Sequence, residues 1–100
     1  MSSKLLYHRK WILEEDELIE VKAWKVPVSK NYPEGIKYSL VYIRKGRRIL
    51  AYDNYQGHGH HRHYFGKTEP YQFINLERLI KDFWKDFKEV KVFEGKEPKN

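Results

Sequence analysis

Cysteine is absent from this sequence, which excludes disulfides, thiolate nucleophiles and thiolate metal sites together. Long apolar runs are absent as well. No stretch approaches the ~20 residues that a bilayer-spanning helix needs, and the first residues carry no hydrophobic signal core. These absences predict a cytoplasmic protein with no membrane association. No internal repeat, low-complexity tract or linker divides the chain, so residues 1–100 are expected to form a single domain with one modest core.

What is present is positive charge and aromatic side chains. Lys and Arg number 20 against 14 Asp and Glu, a formal net charge of +6 with histidine neutral. Such a balance points to an anionic partner, whether nucleic acid, acidic protein or membrane surface. An aromatic content of 16% argues for a folded chain with a heavily charged surface, because disordered chains lack such residues. The charges are also unevenly spread. Arg44, Lys45, Arg47 and Arg48 crowd one turn, and Arg62 and Lys67 follow with no acid between Asp53 and Glu69. The acids gather in Glu14-Glu15-Asp16-Glu17 and near the end of the chain. That asymmetry suits a footprint for a polyanion.

The hydrophobic pattern predicts strands followed by one helix. Lys4 to Leu13 is strand-like and ends at the acidic turn Glu14 to Glu17. In Leu18 to Val28, Ile19, Val21 and Ala23 share one parity, and Leu18, Trp24, Val26 and Val28 the other. Asn31, Pro33 and Gly35 break that run as a loop. Ile36, Tyr38, Leu40 and Tyr42 alternate with Lys37 and Ser39, and Lys45-Gly46 turns this strand into Arg48 to Asn54, an antiparallel hairpin. Leu76, Leu79, Ile80, Phe83, Trp84, Phe87 and Val90 recur every three or four residues, one face of an α-helix, with Asn75 as N-cap and Glu77 in the first turn. The expected fold is α+β: a four- to five-stranded antiparallel meander with a C-terminal α-helix packed on one face. The other face is left polar and open.

Four of the five histidines, His58, His60, His61 and His63, lie within six positions, with Arg62 among them and Gly57 and Gly59 before them. If a strand begins near His60, His61 and His63 project from one face, and His60, Arg62 and Tyr64 from the other. Asp53 and Asn54 end the preceding strand, so a hairpin brings them close. Three readings are open: a solvated histidine-rich loop, a metal site completed by Asp53, and general acid–base chemistry on a phosphodiester. The spacing matches no zinc signature. Histidine has the pKa for both proton transfers of RNA cleavage, and arginine supplies a planar clamp for the phosphate. On this reading His61 and His63 are the acid and base, Arg62 or Arg48 holds the phosphate, and Asp53 orients an imidazole. Tyr52, Tyr55 and Tyr64 are candidates to stack on bases, although most of the eight tyrosines suit sheet packing.

Tyr38-Ser39-Leu40-Val41-Tyr42, Tyr52-Asp53-Asn54, the glycine and histidine run from Gly57 to His63, Tyr71-Gln72-Phe73 and Leu79 to Phe83 together resemble the TumE family of toxin–antitoxin proteins. The likeness extends to Trp24 with Pro27 and to Asp82-Phe83-Trp84. Its most specific part is the Tyr-Asp-Asn triplet followed by Gly57, Gly59 and His61-Arg62-His63, with His60 at a variable position. The resemblance implies a small toxin encoded beside an antitoxin, often one with a helix-turn-helix. It carries over Tyr52, Asp53, Asn54, Gly57, Gly59, His61, Arg62 and His63 as functional positions.

The leading expectation is therefore a toxin acting as a small basic ribonuclease by metal-independent histidine and arginine chemistry, with no cofactor, and with RNA and a cognate antitoxin as partners. The alternatives are a non-catalytic nucleic-acid-binding or regulatory module and a metal-dependent phosphoesterase. The first strand is free to pair at an edge or with another subunit, which leaves a homodimer open.

Overall fold

The computed structural model describes residues 3–55 and 58–95. Six strands form one antiparallel sheet in chain order: β1 Lys4–Glu14, β2 Glu17–Lys25, β3 Ile36–Arg44, β4 Arg47–Asp53, β5 His61–Tyr64 and β6 Lys67–Pro70, followed by the helix α1 Leu76–Gly95. The meander and the C-terminal helix are as the sequence pattern predicts; the strand number is not. The expected four or five strands become six because β6 reads Lys-Thr-Glu-Pro, exposed throughout and without any apolar alternation to mark it. What makes it a strand is its turn. Phe65 and Gly66 both take positive φ (49° and 82°), as Lys45 and Gly46 do (53° and 73°) between β3 and β4. Two successive positive φ values give the tight hairpin whose twist matches the flanking strands.

The strict two-residue period of β2 and β3 sorts the sheet into two faces. Ile19, Val21 and Ala23 of β2, Tyr38, Leu40 and Tyr42 of β3, and Leu50 and Tyr52 of β4 lie in register on one face. There they bury against Leu79, Phe83 and Val90 of α1. Each such large apolar side chain taken from water contributes about 1.5–3 kcal/mol, which is why the helix seats on this face. Asn75 caps α1 through its Oδ1, which accepts the Arg78 amide at 2.8 Å. Among the described residues, no helix is long and apolar enough to cross a membrane.

A buried carboxylate ties the far end of α1 to the sheet. Glu17 accepts hydrogen bonds from the Tyr42 hydroxyl at 2.5 Å and the Lys91 ammonium at 2.9 Å. The Tyr42 bond, with help from Lys91, holds the carboxyl below its ordinary pKa against the opposing effect of burial. A carboxylate with a lowered folded-state pKa stabilises the fold above its unfolded-state value, and that contribution is lost as pH falls through the folded-state value. Glu17→Gln is therefore expected to cost about 1–2 kcal/mol near neutrality. Thermal melts of both proteins should converge as the pH falls below the usual carboxylate range; a pH-independent gap would contradict this account.

Candidate active site on the open face of the sheet

The strand register that buries Tyr52 turns its neighbours outward. Asp53 of β4 pairs with His61 of β5, and Ala51 with His63, so Asp53, His61 and His63 share the face away from the helix. Arg48 joins them through an irregularity. The β3–β4 register slips between Tyr42 and Ile43, so that Tyr42 faces Leu50 and Ile43 faces Arg48. The extra residue, Ile49, packs against the core, and the bulge re-aims Arg48 onto the open face. The result is an open cleft of about 640 Å³, lined among others by Lys22, Lys37, Arg48, Asp53, His61, His63 and Thr68. Ala51, fully buried, presents only a methyl between Val41 and His63 in the register and leaves the middle of this face low.

Hydrogen bonds distinguish the two histidines. His61 Nδ1 lies 3.1 Å from the Gly59 carbonyl. A carbonyl only accepts, so Nδ1 carries the hydrogen and Nε2 keeps its lone pair in the neutral ring. Among the described residues nothing stands within hydrogen-bonding distance of that Nε2. Gly59 makes the contact with φ at +75°, and a Cβ there would meet nothing within 4 Å, so the demand for glycine is conformational and not steric. His63 is held at both nitrogens, Nε2 to Asp53 Oδ2 at 3.1 Å and Nδ1 to Thr68 Oγ1 at 3.0 Å. The carboxylate fixes Nε2 as a donor, while the hydroxyl accepts from Nδ1 or donates to it.

The cations of the cleft differ in how they are occupied. Lys22 stands 3.6 Å from Glu20. Lys37 lies over two aromatic rings, those of Trp24 and Tyr55. Among the described residues Arg48 has no carboxylate partner. The wider charge asymmetry of the sequence is partly cancelled in space: Arg44 and Lys45 lie beside the acidic turn Glu14 to Glu17, and the Lys45 amide donates to the Asp16 carbonyl at 2.8 Å. Positive charge therefore reaches the cleft from Arg48, Lys22 and Lys37 rather than from the whole basic turn.

Several residues expected at the site lie elsewhere. Arg62 has the opposite parity to the histidines and faces α1. Its Nε donates to Asp86 Oδ2 at 2.7 Å, and its Nη1 pairs with Glu69. The guanidinium lies 4.5 Å from the centre of the Tyr64 ring, so Tyr64 serves this packing. Tyr52 is buried with its hydroxyl on Asp86, and burial followed by that bond pushes its pKa up. Asn54 is buried too, accepting the Tyr38 amide at 3.0 Å and donating to the Ile36 carbonyl at 2.7 Å, a clasp on the start of β3. Gly57 lies outside the described residues. His60 sits between Tyr38 Oη (2.9 Å) and Glu34 (3.1 Å) and stacks on Phe73. His58 stands exposed at the rim of the cleft.

Conversely, Lys22, Trp24, Lys37 and Thr68 line the cleft without having been singled out for it. Lys37 was legible as the polar side of β3, whereas Thr68 belongs to a strand with no sequence signal. Among the described residues, no group of three or more histidine, aspartate and glutamate side chains is placed to hold a metal ion.

No curated protein and no solved structure matches the chain. One family model does, that of toxin TumE, over residues 3–91. The core strands, the histidine segment and most of α1 all fall inside that match, and the chain belongs to the TumE family, the toxin components of toxin–antitoxin modules.

Proposed function

We propose that this toxin is an endoribonuclease that cleaves RNA by metal-independent acid–base chemistry in the open-face cleft. His61 Nε2 removes the proton of a ribose 2′-hydroxyl. The 2′-oxygen attacks the adjacent phosphorus, and the bond to the 5′-oxygen breaks as protonated His63 delivers a proton to it from Nδ1, released from Thr68. The products are a 2′,3′-cyclic phosphate and a free 5′-hydroxyl. Asp53 holds the His63 ring through Nε2, and Arg48 stabilises the extra negative charge on the phosphorane, with Lys22 and Lys37 beside it. Arg62 contributes indirectly, by anchoring β5 to the helix.

The observation that carries this reading is the convergence in one cleft of two differently held imidazoles and an arginine that has no carboxylate partner among the described residues. The cognate antitoxin would silence the toxin by covering this face. Incubating RNA with the purified protein tests the chemistry. Cleavage is expected to persist in EDTA, to leave cyclic phosphate ends, and to vanish when the 2′-hydroxyl at the cut is replaced by hydrogen. Loss of cleavage in EDTA would favour a metal-dependent phosphoesterase. Salt-sensitive binding without cleavage would favour a non-catalytic nucleic-acid-binding module, a role consistent with His63 being engaged at both nitrogens.

A further inference from the structure

Beside the histidine row, the open face carries a second row whose aromatic rings the acid–base reading does not use. Trp24 and Lys37 are direct cross-strand partners in β2 and β3. Tyr55 follows β4, and the Lys37 ammonium lies 5.7 Å from the Trp24 ring centre and 5.4 Å from that of Tyr55. One cation thus bridges two rings that line the same cleft as His61 and Arg48. The row stands two residues along the strands from that of Asp53 and Ser39, ~7 Å, a distance that a nucleotide spans between its phosphate and its base.

These rings are not used by the core. Trp11 and Trp84 pack edge-to-face against each other at 5.2 Å beside the helix, whereas Trp24 lies on the opposite face. Tyr55 is 55% exposed, and among the described residues its ring meets no aromatic neighbour and its hydroxyl no partner. Tyrosine and tryptophan faces beside a lysine, next to a phosphate-sized concentration of charge, are what unpaired nucleobases stack on.

We infer that Trp24, Lys37 and Tyr55 form a nucleobase-stacking subsite, so that the substrate is unpaired RNA with the base flanking the scissile phosphate stacked on Tyr55 and Trp24. This rests on the reading of the cleft as a phosphodiester site. It excludes duplex RNA on physical grounds, because paired bases are already stacked on both sides and a helical backbone holds the 2′-oxygen away from in-line attack.

The test is equilibrium binding, by fluorescence anisotropy, of a short mixed-sequence 2′-O-methyl RNA, which cannot be cut. Its blunt duplex and an abasic strand of equal length serve as comparisons. The unpaired strand is expected to bind at least about 5-fold more tightly than either. Tyr55→Ala should weaken unpaired binding about 5- to 100-fold, leave the abasic strand unaffected, and be matched in direction by Trp24→Ala. Tyr55→Phe should bind as the wild type does, since the hydroxyl has no partner among the described residues. Tyr55 is exposed, so its variants keep the fold, which circular dichroism verifies even if Trp24→Ala does not survive. Equal binding of all three ligands, unchanged by Tyr55→Ala, would overturn the subsite while leaving the phosphate site standing. Absence of binding to all three would overturn both.

Discussion

His61→Ala is expected to slow RNA cleavage about 10²- to 10⁴-fold, the usual worth of a positioned proton-transfer group. His61 lines the cleft, its tautomer is set by the Gly59 carbonyl, and among the described residues its Nε2 has no partner. His63→Ala should cost a similar factor. On the proposed mechanism the pair acts in one step, so the double variant should be little slower than the worse of the two single ones. Single-turnover rates under identical conditions give the clearest readout. Asp53→Asn keeps an acceptor for His63 Nε2 but removes the charge, and a smaller loss is expected. Cleavage that survives both histidine changes would sink the site assignment, whatever the affinity for RNA.

The second large effect falls on stability. Asp86→Ala is expected to destabilise the protein by about 3–5 kcal/mol, the cost of stripping one partner from a buried charged pair. Asp86 is buried on α1 and receives both the Tyr52 hydroxyl and the Arg62 guanidinium. Its loss leaves a buried phenol without its acceptor and a largely covered cation with only the more exposed Glu69 as partner. Against the 5–15 kcal/mol that a small domain has in all, this is a large fraction, and denaturant titration should register it directly. Replacing Arg62 and Asp86 together by apolar residues should cost less than the sum of the single changes, because no charge is then stranded. A loss under about 1 kcal/mol for Asp86→Ala would mean that the network does not hold the helix to β5.

Much of this molecule is legible in the sequence for simple reasons. The helix shows itself by its apolar stripe and by Asn75, and β2 and β3 by strict alternation. Parity puts His61 and His63 on one face and Arg62 on the other, and the register of β4 with β5 has them so. What escapes is whatever depends on a single register slip or on backbone alone. Arg48 by parity belongs with Leu50 and Tyr52; only the bulge at Ile49 turns it to the cleft. β6 has no hydrophobic pattern and exists because two positive φ values close a hairpin. Asn54 looks like a ligand-binding amide and is spent on the β3 backbone. Arg62, chemically suited to a phosphate, is committed to two carboxylates that lie distant in the chain or in an unmarked strand.

The chain order of the fold also sets an order in time. Each strand pairs with its sequence neighbour, so every ladder closes a short loop and needs no distant segment. Among the described residues, however, the apolar face of that sheet is covered by α1 and by Tyr71 and Phe73 just before it, all of which leave the ribosome after the six strands. At ~5–20 residues per second, an interval of about 1–3 s separates the synthesis of β6 from that of Asp86. β5 carries the histidines but lacks its tether throughout that interval, because Asp86 has not yet been made. A chain interrupted before α1 would therefore be left with an unanchored histidine strand. If the open-face cleft acts as proposed, a toxin built in this order withholds an anchored histidine strand from the cell that is making it until α1 has docked.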